Sequence, residues 1–380
     1  MSPRQVVIGS GPDALRAAAA LARAGHSVHL IQQADCASGL RHPDLPLGTG
    51  LIHVSSDYRA LTEAVLGPLV EGPDPSRAVV INNQVESLPV GVRGLHRMLP
   101  GSVLRGVGKS LVRARGRNLM AEIIGGGMEE RSHRDWVIRR MGEPAWHHLY
   151  QSYALRRWGL PSHELAASVA RVHHGAVDEG SVQVVGGSYS QALENAAKCL
   201  ADAGGTIQTG KNVEKLELRD GRVRVIHVEG DESIEVDGRV WVCDAPERVV
   251  QWLGDSVPKG IRVHASRCRQ FPVVRVGLRG ETRDLPTEIH VLDERASFWR
   301  VTSPYGIENT AIFHLTDRPD RPLPTDDAEL AREVAREANE VGLSGFRGED
   351  ARVERVAVWQ PVWGIAAHAW IRSVLLHWNQ

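Results

Sequence analysis

One short segment near the amino terminus, Gly9-Ser10-Gly11-Pro12-Asp13-Ala14, constrains this chain more than any other. It has the pattern G-x-G-x-x-A. It stands between an apolar run, Gln5-Val6-Val7-Ile8, and residues 13–24, which are rich in alanine, leucine and arginine. The apolar run predicts a buried parallel strand. The second stretch predicts a helix, because those residues lose little freedom in one and their apolar members recur at helical spacing. Gly25 closes that helix, and Ser27-Val28-His29-Leu30-Ile31 predicts a second strand. Strand, turn, helix and strand make a right-handed β-α-β unit. In that setting Gly9 permits the tight turn and Gly11 lets backbone N–H groups approach a diphosphate. Pro12 opens the helix whose positive end faces the phosphates, and Ala14 lets helix and strand lie close. The competing reading is a glycine-rich turn used only for packing. An acidic residue at the end of the second strand would accept bonds from the ribose hydroxyls. Gln32 stands there instead, and its amide oxygen accepts such a bond without charge assistance.

With 380 residues the chain is long enough for two domains. Forty-five lysines and arginines against 46 acidic residues leave a net charge of −1, so no strong field draws in nucleic acid or an anionic membrane. No apolar run approaches the roughly 20 residues that span a bilayer. The start, Met-Ser-Pro-Arg, leads directly into a strand with no signal-peptide pattern. Four separated cysteines make no CxxC pair. The expectation is a reduced, cytoplasmic protein. The pairs His147-His148 and His173-His174 have no carboxylate or cysteine at ligand spacing, so no metal site is expected. Neither a Ser-His-Asp set nor a P-loop is present.

Residues 102–117 are basic, through Arg105, Lys109, Arg113, Arg115 and Arg117. They suit either an anion or a solvated helix face. Helical patterns follow over 134–142 and 146–158. A second regular block predicts a helix at 188–203, a strand at 206–209 and a hairpin about Asp220-Gly221. Further strands are expected at 233–236, 239–242, 273–278, 288–292, 298–301 and 310–315, then an amphipathic helix at 326–341.

Several segments resemble the flavin-binding group of amine oxidases, protoporphyrinogen oxidases, phytoene-type desaturases and UDP-galactopyranose mutases. The glycine turn comes first, then Ser38-Gly39-Leu40 and Gly48-Thr49-Gly50-Leu51-Ile52-His53. The most specific is Asp135-Trp136-Val137-x-Arg139-x-x-Gly142, leading to Tyr153-Ala154-Leu155-Arg156-Arg157-Trp158-Gly159 and Glu164-Leu165-x-Ala167. Gly186-Gly187-Ser188-Tyr189, Gly204-Gly205, Val213-Glu214-Lys215-Leu216 and Val242-Cys243-Asp244-Ala245-Pro246 continue the order. The resemblance implies an α/β fold, a Rossmann-like FAD/NAD(P)-binding domain with an interleaved α+β substrate domain. The FAD-binding parts would be 1–90, 179–257 and 346–380, with a helical insertion at 91–178 and the sheet of the substrate domain at 258–345. The family's closing segment, which cradles the flavin ribityl-phosphate, is expected to be missing after Val374-Leu375-Leu376-His377-Trp378.

The resemblance further implies FAD held by Gly9, Gly11, Pro12, Ala14, Gln32, Gly39, Gly48, Gly50 and Val213. His53 would face the flavin or move a proton, unless it is structural. Tyr153, Arg156, Arg157 and Trp158 would meet the substrate, since an indole beside guanidinium groups suits an aromatic, anionic ligand. The alternative makes Trp158 a core anchor and the arginines surface residues. Mutases carry a histidine where Gly50 stands. Three functions follow as expectations: an FAD-dependent oxidoreductase on a small organic substrate, a mutase acting on a nucleotide-sugar, or a flavin-free descendant serving as a non-redox enzyme, binding protein or partner subunit. A homodimer is compatible with each.

Overall fold

The computed structural model describes residues 3–9, 12–32, 51–53, 63, 69–71, 76–88, 90, 92–124, 130–169, 182–185, 189–244, 246–265, 269–270, 272–303, 308–356 and 361–362. The amino-terminal unit forms as its sequence dictates. Strand β1 (Gln5–Ile8), helix α1 (Pro12–Arg23) and strand β2 (Val28–Gln32) follow one another, and β1 pairs with β2 in parallel. Short strands β3 (Leu51–His53) and β4 (Leu69–Glu71) come next, then the hairpin of β5 (Arg77–Ile81) and β6 (Gln84–Ser87).

A helical layer follows: α2 (Val92–Met98), α3 (Gly101–Ile124), α4 (His133–Met141), a π-turn at Trp146–Tyr150 and α5 (Gln151–Trp158). The basic stretch lies on α3, where Arg105, Lys109 and Arg113 are exposed. A capping box starts α4: Asp135 N donates to Ser132 Oγ at 3.1 Å and Ser132 N to Asp135 Oδ2 at 3.0 Å. Gly142 ends it at φ +87°, where a Cβ would run into the Ser110 side chain of α3. Only glycine combines that angle with that approach.

The chain then returns through β7 (Val182–Val185), α6 (Tyr189–Asp202) and β8 (Thr206–Thr209). A meander of β9 (Val213–Arg219), β10 (Arg222–Val228) and β11 (Glu232–Glu235) leads to β12 (Val240–Val242). Asp220 and Gly221 both have positive φ, 54° and 71°, as the Asp-Gly signal requires. Helices α7 (Pro246–Leu253) and α8 (Lys259–Ala265) precede β13 (Arg269–Gln270), β14 (Val273–Arg279), β15 (Glu288–Val291), β16 (Arg300–Thr302) and β17 (Thr310–Thr316). Helix α9 (Asp327–Glu340), β18 (Arg347–Val356) and β19 (Pro361–Val362) complete the described chain.

Two sheets organise these elements. A four-stranded parallel sheet has the order β12-β1-β2-β8. Helices α1 and α6 cover one face through Ala14, Ala18, Ala196 and Leu200, while Val213, Leu216 and Ile226 of the meander, with α7, cover the other. A seven-stranded mixed sheet has the order β18-β14-β17-β16-β15-β5-β6. Helix α9 packs on one face through Leu330, Val334 and Ala338 against Val276, Phe298 and Phe313. This sheet takes in 77–87, which the sequence reading grouped with the first FAD-binding part, and 347–356, grouped with the last. Backbone pairing draws them in: β5 pairs in parallel with β15, and β18 antiparallel with β14. The fold is the α/β class expected, a helix-flanked parallel sheet with a second, mixed sheet.

No helix among the described residues is long and apolar enough to cross a membrane.

Candidate functional site

In the parallel sheet β1 has β2 on one side and β12 on the other. The strand order therefore reverses beside β1, and the crevice outside its carboxyl end is where open α/β sheets take ligands. Gly9 occupies that end. Its N–H donates to Ile31 O at 3.0 Å, and a Cβ on it would stand 2.6 Å from the Cys243 carbonyl oxygen. No other residue fits there without moving β12. Pro12 begins α1, a position its fixed φ suits, and Ala14 is fully buried where the helix meets the strand. Gln32 is buried at the end of β2, and its carbonyl accepts from Gly210 N at 3.1 Å. Val213 is buried with Ile8 and Ile31. The structure thus gathers Gly9, Ala14, Gln32 and Val213 about the ends of β1 and β2. Gly11, Gly39, Gly48 and Gly50 lie outside the described residues, as does 363–380. His53 ends β3, where it pairs with Val182 of β7.

The second group of residues lies on α5 and on the face of the mixed sheet opposite α9. The strands there alternate: Glu288-Ile289-His290-Val291, Arg300-Val301-Thr302 and Phe313-His314-Leu315 each send apolar side chains to the α9 core. Their polar members share the other face. Register aligns three of them in one row with Arg275 of β14 and Glu354 of β18: Glu354 opposite Arg275, Arg275 opposite His314, His314 opposite Arg300, and Arg300 opposite His290.

Hydrogen bonds run along this row and join it to α5. Arg275 Nη1 donates to Glu354 Oε2 at 3.1 Å. His314 Nε2 is 3.0 Å from Thr302 Oγ1, and Arg300 Nη2 is 3.5 Å from His314 Nδ1. Arg300 Nη1 reaches Glu288 Oε1 at 3.3 Å, while Arg77 Nε and His290 Nε2 each stand 3.6 Å from the same carboxylate. Arg157 Nη1 donates to Tyr153 Oη at 2.7 Å, and Tyr153 Oη lies 2.9 Å from His290 Nδ1. A hydroxyl that accepts from Arg157 has its own proton left for His290 Nδ1, so the imidazole carries its hydrogen on Nε2, toward Glu288.

The field of this cluster is positive. Burial pushes His290 down to about 4; Glu288 opposes the shift, and Arg157, Arg300 and Arg77 reinforce it. His314 is driven well below the usual histidine range by burial and by Arg300, Arg275 and Arg157. Burial alone would raise the Glu288 carboxyl, but His290, Arg300, Arg77 and Arg157 hold it below its ordinary value.

The four residues of α5 divide sharply. Arg156 is 5% exposed and donates to three carbonyls, Ala296 O at 2.9 Å, Phe298 O at 3.0 Å and Val291 O at 3.0 Å. Its guanidinium fastens α5 to the turn between β15 and β16 and lies neither at the surface nor in the row. Trp158, 7% exposed, meets His133 edge-on at 5.3 Å and Tyr153 at 5.9 Å. Arg157 lies over Trp158 and over Trp299, 4.8 Å from each ring centre, and Arg300 lies 4.9 Å from the Trp299 ring centre. Sequence reasoning missed Arg77, Glu288, His290, Trp299 and Arg300. Their only sequence signal is the alternation of the strands, which equally describes a face turned to water.

No family model and no curated protein sequence matches the chain. Solved structures do. A reduced UDP-galactopyranose mutase matches with a TM-score of 0.75 at 15% identity, over 99% of this chain and 88% of that one. An oxidoreductase from Methanosarcina mazei matches with a TM-score of 0.61 at 13% identity, over 95% of this chain and 89% of the other. Putrescine oxidase bound to putrescine matches with a TM-score of 0.60 at 15% identity, over 97% and 89%. At these identities the likeness is one of fold. Amine oxidases and UDP-galactopyranose mutases are both named in the flavin-binding group that the sequence motifs resemble, and this chain has the fold of that group.

Proposed function

We propose that the chain is a flavin-dependent oxidoreductase of the amine-oxidase and protoporphyrinogen-oxidase-like type, acting on a small organic substrate. The observation that carries this reading is Gly9 at the carboxyl end of β1, where the strand order reverses, at the head of a helix that opens on Pro12. The residues present fit FAD. Gly9, Pro12 and Ala14 would hold the diphosphate at the α1 amino terminus, Gln32 would offer a neutral amide to the ribose, and Val213 would pack beside the adenosine. Bound flavin supplies the redox chemistry. The protein's own part is to hold the substrate still and keep water out. Arg157, fixed by Tyr153 and stacked on Trp158 and Trp299, is the α5 residue suited to meet it. Arg156 serves as a clamp on the fold.

A mutase-like enzyme acting on a nucleotide-sugar is the second reading. Tyr153, Trp158 and Trp299 gathered about Arg157 favour it, since aromatic faces suit a base and a guanidinium suits phosphate. Assays of the chain loaded with FAD separate the two. Oxygen consumption with a candidate amine supports the oxidoreductase. Conversion of a UDP-sugar only after chemical reduction supports the mutase. A chain that stays colourless with added FAD overturns both and leaves the flavin-free descendant.

A further inference from the structure

Cations outnumber anions around Glu288. Among the described residues, the carboxylate at one end of the row, Glu354, is taken by Arg275, and Glu86, opposite Val79 at the other end, by Arg97, while Arg77, Arg157 and Arg300 all act on Glu288. Arg77, Arg300 and Glu288 keep 27%, 22% and 18% of their side-chain surface exposed, so small molecules in solution can reach them. We propose that Arg300 and Arg77, with Glu288 between them, form a binding site for an oxyanion group, a carboxylate or a phosphate.

Three observations support the site. The first is the length of the existing contacts: 3.3 Å and 3.5 Å for Arg300 and 3.6 Å for Arg77, all longer than a well-formed charge-assisted hydrogen bond. A guanidinium partly withdrawn from water and bonded this loosely is under-compensated, and a bidentate oxyanion would offset the difference. The second is the set of spare donors. Arg77 Nε, Arg300 Nε and Trp299 Nε1 are buried with no hydrogen-bond partner among the described residues. The third is the response of the neighbouring imidazoles. Burial is the main cause that holds His290 and His314 neutral, and the nearby arginines add to it at both. Glu288 occupies part of the site as an internal anion, and an external oxyanion would share its cations with it. The inference rests on the charge pattern of this sheet and not on flavin binding, so either can fail alone.

Calorimetric titration of the full chain at neutral pH and fixed ionic strength tests it, with inorganic phosphate in one arm and acetate in the other. The expected result is saturable one-site binding of at least one probe. Phosphate alone identifies a phosphoryl ligand, acetate alone a carboxylate, and both the shared chemistry. Arg300→Met is expected to weaken binding at least tenfold and Arg77→Gln several-fold. Glu288→Gln is expected to strengthen it, and Arg105→Ala on exposed α3 to change nothing. If Arg300→Met does not fold, Arg300→Lys keeps the charge, loses the fork and is expected to weaken binding at least threefold. No saturable binding of either probe, or equal affinity in the Arg300 variant that folds, overturns the site.

Discussion

The parallel sheet and the mixed sheet are each covered on both faces, yet they are built from opposite materials. Around β1 and β2 the buried contacts are valine, isoleucine, leucine and alanine, joined on the α7 side by Trp252. The mixed sheet has an equally apolar face under α9, but its other face carries arginines, glutamates and histidines in register. Apolar packing is indifferent to which partner it meets, provided the volume is right. A charged row needs each partner at its place, because a buried ion left alone costs far more than the pair contributes. The first sheet therefore specifies an architecture, and the second presents a chemistry.

Substitutions sharpen the contrast, beginning with the largest effect. Replacing Arg156 by Met leaves three buried carbonyls without their donor. At about 1–3 kcal/mol for each orphaned group, the loss is about 3 kcal/mol or more, read by denaturant unfolding. A loss below about 1 kcal/mol would mean that the clamp is dispensable.

Acid should weaken the polar side in particular. His133 is fully buried, with Nδ1 2.7 Å from Ser162 Oγ. Burial, then Arg157, lowers it from 6.5 to about 4. Burial likewise takes His290 from 6.5 to about 4. Both are neutral in the fold. As pH falls below 6.5 the unfolded chain takes up protons that the folded chain refuses, so stability drops until about pH 4, where the fold protonates too. The ceiling is about 3 kcal/mol for each histidine. Unfolding curves across this window should flatten in His290→Gln, and an unchanged slope would contradict the assignment.

On the apolar sheet, Gly9→Val should cost about 1–3 kcal/mol by overpacking against the Cys243 carbonyl. Gly25→Ala meets nothing within 4 Å, so only its φ of +85° opposes the change, at about 1 kcal/mol. Melting temperatures of the two variants compare them directly. The smallest effect is Asp326→Ala. It removes the cap of α9, a 2.7 Å bond from Glu329 N, for about 1 kcal/mol with neither sheet's chemistry altered.

Much of the architecture was legible in residue order. The β1-α1-β2 unit and the Asp220-Gly221 hairpin rest on local signals, a glycine turn and an Asp-Gly pair, and the structure places them within a residue or two of expectation. The polar row was not legible. His290, Arg300 and His314 become neighbours only through pairing of β15, β16 and β17, and Glu288-x-His290 alone reads as the wet side of a strand. Arg156 was equally hidden. Sequence offers an arginine beside an indole, while its three carbonyl partners lie 135 to 142 residues away.

Titration of the purified full chain with FAD, followed by flavin absorbance and fluorescence quenching, bears most directly on the central claim. One FAD per chain, with binding lost or strongly weakened in a folded Gly9→Val variant, is the result this account predicts. A folded wild-type chain that leaves FAD free in solution, or a Gly9→Val variant that binds it equally well, would contradict it.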